Sequence, residues 1–371
     1  MKTYATTLLL AVILPICASA APVRIGAVYA NTGAFAPLDE PSWRGAQAAA
    51  ALANRSGGTR VELVRVPYDS TPASAAQAVR SALAKDPSID AFVGVSDSGV
   101  ALAAGREVRR AGKVFVTSGA TSPLLPSQLG AGFFLACFGD NVQAAAAAEW
   151  LLRNKASRKV CILHDASKIY TRLLRRYFEA AFSKGGGTVI ESVAFRAGEP
   201  AGLPASLNEC DAVFLAAGTA ADALSVIRKL RAGGFRGPVI GGDGFDAAGV
   251  WEGNPLAQNV YYTTHAFPAK GPGAAGAVTL AGLRGNYPGG APNAFSGLGF
   301  DATRILLAAL AGDGGKKLAA RIQNGAPLAG VTGPIAYVRG RRIPEKPVAI
   351  IDVARSRQTL AQITPSYVPA P

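Results

Sequence analysis

The chain has 371 residues, 38 Lys and Arg against 24 Asp and Glu, and a formal net charge of +14 at pH 7; that length accommodates two ordinary domains and an ample core. The basic residues are scattered along helical stretches (Arg106, Arg109, Arg110; Arg172, Arg175, Arg176; Arg228, Lys229, Arg231) without a nucleic-acid motif. Nucleic acid is therefore excluded as a partner, and the charge reads as a solvated surface, with docking to an acidic partner as the alternative.

Residues 1–20 read as a secretory signal: Lys2 supplies positive charge, Leu8 to Ile16 an apolar core, and Ala18-Ser19-Ala20 a cleavage site before Ala21. Cys17 raises the question of a lipid anchor, but Ile16 is bulky where a lipidation box wants a small residue. No later apolar stretch approaches the roughly 20 residues of a membrane span, so a soluble exported protein is expected. Removing the first 20 of 371 residues leaves 351, with Cys137, Cys161 and Cys210. An odd count leaves at least one unpaired thiol, and the spacing matches no zinc box. Cys137 and Cys161 lie in apolar runs and read as buried small hydrophobes.

From Val23 onward, apolar runs alternate with amphipathic stretches, the pattern of βα units and of parallel sheets flanked by helices. Strands are expected at Val23–Tyr29 and Val61–Pro67, and helices at Trp43–Asn54 and Pro72–Ala84. The apolar runs Ala91–Val95 and Val114–Val116 follow. A second series begins near residue 140, with helices over Asn141–Arg153, Thr171–Lys184 (closed by Gly185) and Ala220–Ala232. Its strands are Val160–His164, Val189–Val193, Ala212–Ala217 and Val239–Gly241. After Tyr262 come a Gly/Pro/Ala-rich segment around Lys270–Gly276 and helices at Ala277–Asn286, Phe295–Ala311 and Lys316–Gln323. Strands at Pro334–Val338 and Val348–Val353 and a tail over Pro365–Pro371 complete the chain.

Two polar loops carry the chemistry: Ser96-Asp97-Ser98 and Thr117-Ser118-Gly119-Ala120-Thr121-Ser122-Pro123. Each leaves the carboxyl end of a strand, where open α/β sheets bind ligands. Ser98 stands where a helix over Val100–Ala111 begins, and free N–H groups there attract a carboxylate. Thr121 adds a hydroxyl and an N–H. A small anionic or zwitterionic ligand fits; the competing reading makes Ser98 an N-cap and the second loop a glycine turn.

Several short motifs, in this order, resemble the periplasmic solute-binding proteins of ABC transporters in the leucine/isoleucine/valine-binding class. They are Val23-Arg24-Ile25-Gly26 with Thr32-Gly33, Trp43-Arg44-Gly45-Ala46, Tyr68-Asp69-Ser70, Gly94 to Ser98, Ser118 to Pro123, and Gly241-Gly242-Asp243-Gly244. The resemblance implies an α/β fold of two Rossmann-like lobes with parallel sheets, joined by three hinge crossings near Phe138–Asn141, Thr263–Ala266 and Gly333–Ile335. Lobe 1 is then 21–139 plus 266–334, and lobe 2 is 140–265 plus 335–371. It further implies that Ser98 and the main chain at Ala120 and Thr121 hold an α-carboxylate, and that Thr121 and Asp243 hold an α-ammonium. Tyr170 packs against the ligand. No cofactor is implied, and the partners are a small-molecule ligand and an inner-membrane ABC permease met by a monomer in the periplasm.

This sequence departs from that pattern. Asp97 replaces a family cysteine and Ser70 stands nearby, so a lobe-1 disulfide is absent; Leu38 replaces an aromatic residue, Thr219 a tyrosine, and Asp243 a glutamate. Asp243 has a competing reading as a turn former and Tyr170 as an interlobe packing residue. The two histidines, His164 and His265, form no metal cluster. Neither a Gly-x-Ser-x-Gly elbow nor a phosphate-binding glycine loop is present, so an enzyme is not expected. A periplasmic sensor of the same fold, or a binder of an amide or aromatic acid, is the alternative to amino-acid import.

Overall fold

The computed structural model describes residues 22–57, 60–199, 202–268, 277–311, 317–338, 340–355 and 357–371. The expected signal, Cys17 and the Lys270–Gly276 segment lie outside the described residues.

Short β-branched and aromatic runs form a first sheet from β1 (Val23–Ala30), β2 (Val61–Tyr68), β3 (Ala91–Gly94), β4 (Val114–Thr117) and β5 (Phe133–Leu135). Its order is β2-β1-β3-β4-β5 and every pairing is parallel. Helices α1 (Ala36–Arg55), α2 (Pro72–Lys85), α3 (Ser98–Arg110) and the short α4 (Leu125–Leu129) connect these strands. The second lobe opens with α5 (Asp140–Asn154), followed by β6 (Lys159–Asp165), α6 (Ile169–Lys184), β7 (Thr188–Phe195), β8 (Ala212–Ala216), α7 (Ala220–Ala232), β9 (Val239–Gly241) and β10 (Val260–Thr264). The chain then returns through α8 (Ala277–Asn286), α9 (Ala294–Leu310), α10 (Leu318–Gln323) and the hairpin β11 (Leu328–Gly330)–β12 (Gly333–Ile335) before adding β13 (Val348–Asp352) and β14 (Arg357–Ile363) to the second sheet. That sheet runs β14-β13-β10-β9-β8-β6-β7; β13 and β14 are antiparallel additions to an otherwise parallel set.

The return of α9 to the first lobe depends on two glycines. A Cβ on Gly45 of α1 would lie 1.9 Å from the Ser296 carbonyl oxygen, and one on Gly299 of α9 would lie 1.8 Å from that of Ser42. The two helices therefore meet backbone to backbone, which only glycine permits.

Several expectations shift. α1 starts at Ala36 and not at Trp43, because Pro37 occupies the first turn, where no N–H is needed, and Pro41 forfeits only one helical bond. The third crossing is reached later than Gly333–Ile335: Ile335 and Tyr337 belong to the core of Ile25, Val93 and Val116, and the Leu135 N–H donates to the Arg342 carbonyl. The chain passes to the second sheet between Arg342 and Val348. The Pro365–Pro371 segment is not a free tail, since Pro369 is buried and its carbonyl accepts from Asn141 Nδ2 at 2.9 Å. Cys161 is not an isolated small hydrophobe; it is bonded to Cys210 across a separation of 49 residues, while Cys137 is free and buried.

Two buried carboxylates brace the strand ends. Asp39 Oδ2 accepts from the Ala30 N–H and the Tyr68 hydroxyl, each at 2.7 Å, joining β1 and β2 to α1. Asp246 accepts from Thr264 Oγ1 at 2.6 Å. Burial pushes each carboxyl from an ordinary 3.8 up to about 6. A raised carboxyl favours folding fully below pH 3.8 and loses that contribution as pH climbs through about 6.

Asp39→Asn keeps the acceptor and cannot ionise. Its stability relative to the parent should therefore rise between pH 4 and pH 8 by up to about 3 kcal/mol in urea titrations; a pH-independent difference would contradict the buried ionisable carboxyl. Removing the Cys161–Cys210 bridge by replacing both with alanine should lower the unfolding free energy by about 2–4 kcal/mol, whereas an unchanged value would argue against the bond.

Candidate functional site

The carboxyl ends of β3 and β4 are locked together before any ligand is considered. Gly94 has φ +132°, and a Cβ there would lie 2.0 Å from the Val28 carbonyl oxygen. The Val95 N–H donates to that same oxygen, and Thr117 Oγ1 donates to the Val95 carbonyl. Ser118 and Gly119 donate their N–H groups to Gly94 and Val95. The two polar loops are thus one rigid wall.

Within that wall, Asp97 and not Ser98 caps α3: its Oδ1 accepts the Val100 N–H at 2.9 Å. Ser98 is the first helical residue, and its Oγ accepts the Ser122 N–H at 3.2 Å, which leaves its own O–H as a donor. The Ala120 N–H is taken by Thr117 Oγ1 at 3.2 Å. The sequence expected free N–H groups at this helix start, and the Asp97 carboxylate already occupies part of them.

The facing wall comes from the second lobe. Tyr170, in the first turn of α6, donates its hydroxyl to Asp243 Oδ1 at 2.8 Å, and Gln143 of α5 donates Nε2 to the same oxygen at 2.9 Å. Gln143 Oε1 accepts from the Asp243 N–H and from Thr263 Oγ1. Gly242 permits this closeness, since a Cβ there would lie 2.3 Å from the Tyr170 hydroxyl. His265 Nε2 lies 3.0 Å from Asp243 Oδ2. Burial holds the His265 pKa below its usual value, so the ring is neutral at pH 7 and the contact is a hydrogen bond donated by Nε2–H. Burial together with the Asp243 charge holds the Tyr170 phenol well above its usual range, which keeps it a donor.

Between the walls lies a cavity of about 10 Å³ lined by Phe35, Leu38, Ser96, Asp97, Thr121, Tyr170, Gly218, Asp243, Gly244 and Phe295. That is room for about one water, so a solute enters only when the lobes part. Of the residues singled out from sequence, Leu38, Thr121, Tyr170 and Asp243 line this space. Ser98, Ala120 and Thr219 stand one residue behind lining positions, and the Thr219 hydroxyl is occupied in capping α7 and in donating to Asp222.

The crossings are tied to the site. His265 stacks on Phe138 with ring centroids 3.8 Å apart, and Lys346, buried in the third crossing, donates to the Ala136 carbonyl and to Thr332 Oγ1. Burial lowers the Lys346 pKa. Sequence reasoning passed over Gln143, His265, Phe35 and Phe295. The only signal for Gln143 was a long polar side chain opening an alanine run; His265 gave none, because its partner lies 22 residues upstream. Among the described residues no group of three His, Cys, Asp or Glu is placed to hold a metal ion.

Residues 22–358 match the family described as periplasmic binding protein. The Leu/Ile/Val-binding protein homolog 3 of Brucella melitensis is 27% identical over 330 residues, which cover 86% of this chain and 88% of that protein. Among solved structures, the leucine binding protein LivK of Thermotoga maritima superposes with a TM-score of 0.77 at 26% identity, covering 88% of this chain and 94% of that one. The substrate binding protein LivJ of Streptococcus pneumoniae, in complex with isoleucine, superposes at 0.82 with 21% identity, covering 93% and 100%. With two sheets forming two lobes about a shared cleft and a match that runs nearly its full described length, this chain belongs to the periplasmic binding protein family.

Proposed function

We propose that this protein is the periplasmic solute-binding component of an ABC importer, a monomer that captures an amino acid between its lobes by hinge closure and presents the closed form to an inner-membrane permease. It acts by binding and not by turnover. The carrying observation is a cavity walled by both lobes, with the Asp243 carboxylate on one side and the Thr121 loop on the other. In this reading Asp243 receives the α-ammonium: three donors hold its oxygens, and a carboxylate has about four acceptor positions. The Ser98 O–H and the main chain at Thr121 receive the α-carboxylate, with Ala120 fixing the loop, and the Thr121 hydroxyl, which bonds Asp140, turns a lone pair to the α-ammonium. Leu38 and Tyr170 form the walls, and Thr219 shapes the Gly218 loop.

A thermal-shift screen of the twenty protein amino acids, ornithine and benzoate, followed by calorimetry, tests this. A ligand at 100 times its Kd stabilises by about 2.7 kcal/mol, and at least one amino acid should do so. Asp243→Ala should then weaken binding about 100-fold or more, because one member of a buried charge pair is lost, and Ser98→Ala should weaken it as well. Binding of benzoate and of no amino acid would contradict the reading. If Asp243 is solely structural, Asp243→Ala will lower stability while the folded fraction keeps its affinity.

A further inference from the structure

Lys168 belongs to the second lobe, yet its side chain ends on the first. It is the N-cap residue of α6, and the turn beneath it is rigid. Asp165 Oδ1 accepts the Ser167 N–H at 2.9 Å and the Ser167 hydroxyl at 2.6 Å, Thr171 Oγ1 donates to the Asp165 carbonyl, and Arg172 donates to the Ala166 carbonyl at 2.8 Å. From that base the aliphatic stem runs along Gly218, where a Cβ would come within 2.7 Å of Lys168 Cδ and 2.8 Å of Cε. Glycine at 218 therefore lets the stem lie flat against a residue that lines the cavity.

The ammonium then sits 5.0 Å above the Phe35 ring of the first lobe, within reach of a cation–π attraction. Phe35 is buried, lines the cavity, and is itself held, since its N–H donates to Ser70 Oγ at 2.9 Å. Asp97, another lining residue of the first lobe, also feels this cation, which favours the ionised form of its carboxyl against the larger effect of burial. Ring and carboxylate both lie across the cleft from the residue that meets them. Each is fixed within its own lobe, so parting the lobes separates the cation from both at once.

We propose that Lys168 is an interlobe latch: it holds the mouth of the cleft shut through Phe35 and Asp97 without touching the solute, and so sets how long a captured amino acid stays bound. This rests on the reading of the cleft as an amino-acid site closed by hinge motion. A contact present only in the closed form shifts the balance of open and closed states by its own free energy, and it acts on the rate of release more than on the rate of capture. Lys168 stands outside the set that meets the α-carboxylate and the α-ammonium, which makes its effect separable from theirs.

Lys168→Met keeps an unbranched stem and removes the charge, and it tests the latch in two ways. With no amino acid added, fluorescence energy transfer between dyes on Ser81→Cys of α2 and Ser183→Cys of α6, exposed positions on opposite lobes, reads the parted fraction, which Lys168→Met should enlarge. With the amino acid that gives the largest shift in the thermal screen, stopped flow should show release about fivefold faster in Lys168→Met and capture within about twofold of the parent, the size of a cation–π contact at a half-buried site. In a Phe35→Leu background the same exchange should speed release by no more than about twofold, because the ring it acts on is gone. An unchanged release rate, or an equal acceleration with and without the Phe35 ring, would overturn the latch and leave the amino-acid reading standing. If no amino acid binds, the reading beneath falls, and the ligand-free measurement alone decides the latch: an unchanged parted fraction overturns it.

Discussion

A carboxylate removed from water must be met by donors, and the structure around the cleft is organised by that requirement at Asp243. Its partners come from places far apart in sequence: Gln143 from the helix that enters the second lobe, Tyr170 from the next helix, and His265 from the second crossing. Each donor is itself positioned by something larger. Gln143 also holds the Asp243 N–H and Thr263 at the end of β10, and His265 is wedged against Phe138 of the first crossing. The candidate ligand group and the hinge are therefore one connected set of contacts. A change in what Asp243 faces acts on residues of two crossings directly, with no intervening element.

The remaining crossing joins the same arrangement through Lys346, whose buried ammonium spans the Ala136 carbonyl and the Thr332 hydroxyl. The C-terminal segment closes the back of the hinge by accepting from Asn141 and donating to Glu149. Two open α/β sheets provide the rigid walls, and a small number of polar contacts at their junction provide the movable part. Hinge closure around a ligand has this division of labour: packed lobes move as bodies and a few residues at element ends absorb the change.

Most of the fold was legible in the sequence because its signals are local. The alternation of apolar runs and amphipathic stretches marked nearly every βα unit, and α7, α8 and β9 fall on their expected bounds. Three-residue β5 was too short to show a period, and the start expected for α1 at Trp43 missed the turns that Pro37 opens. The Cys161–Cys210 bond was illegible because pairing depends on the distance between β6 and the segment leading into β8, which sequence spacing does not give. Four of the seven expected site residues line the cleft, since loops at strand ends are predictable from the strands. Asp97 was seen as part of a polar loop and as a missing cysteine, and its place at the cleft follows from its capping the first turn of α3. His265 was set aside as an isolated histidine, because its role exists only where two crossings pass each other.

The central claim is that this site is completed only when two lobes close on a solute. Small-angle scattering tests it directly, comparing the ligand-free protein with the protein saturated by whichever amino acid calorimetry identifies. Closure over the ligand predicts a smaller radius of gyration and a narrower distance distribution in the saturated sample than in a ligand-free population that includes parted lobes. Identical curves at proven saturation would contradict a site formed by interlobe closure.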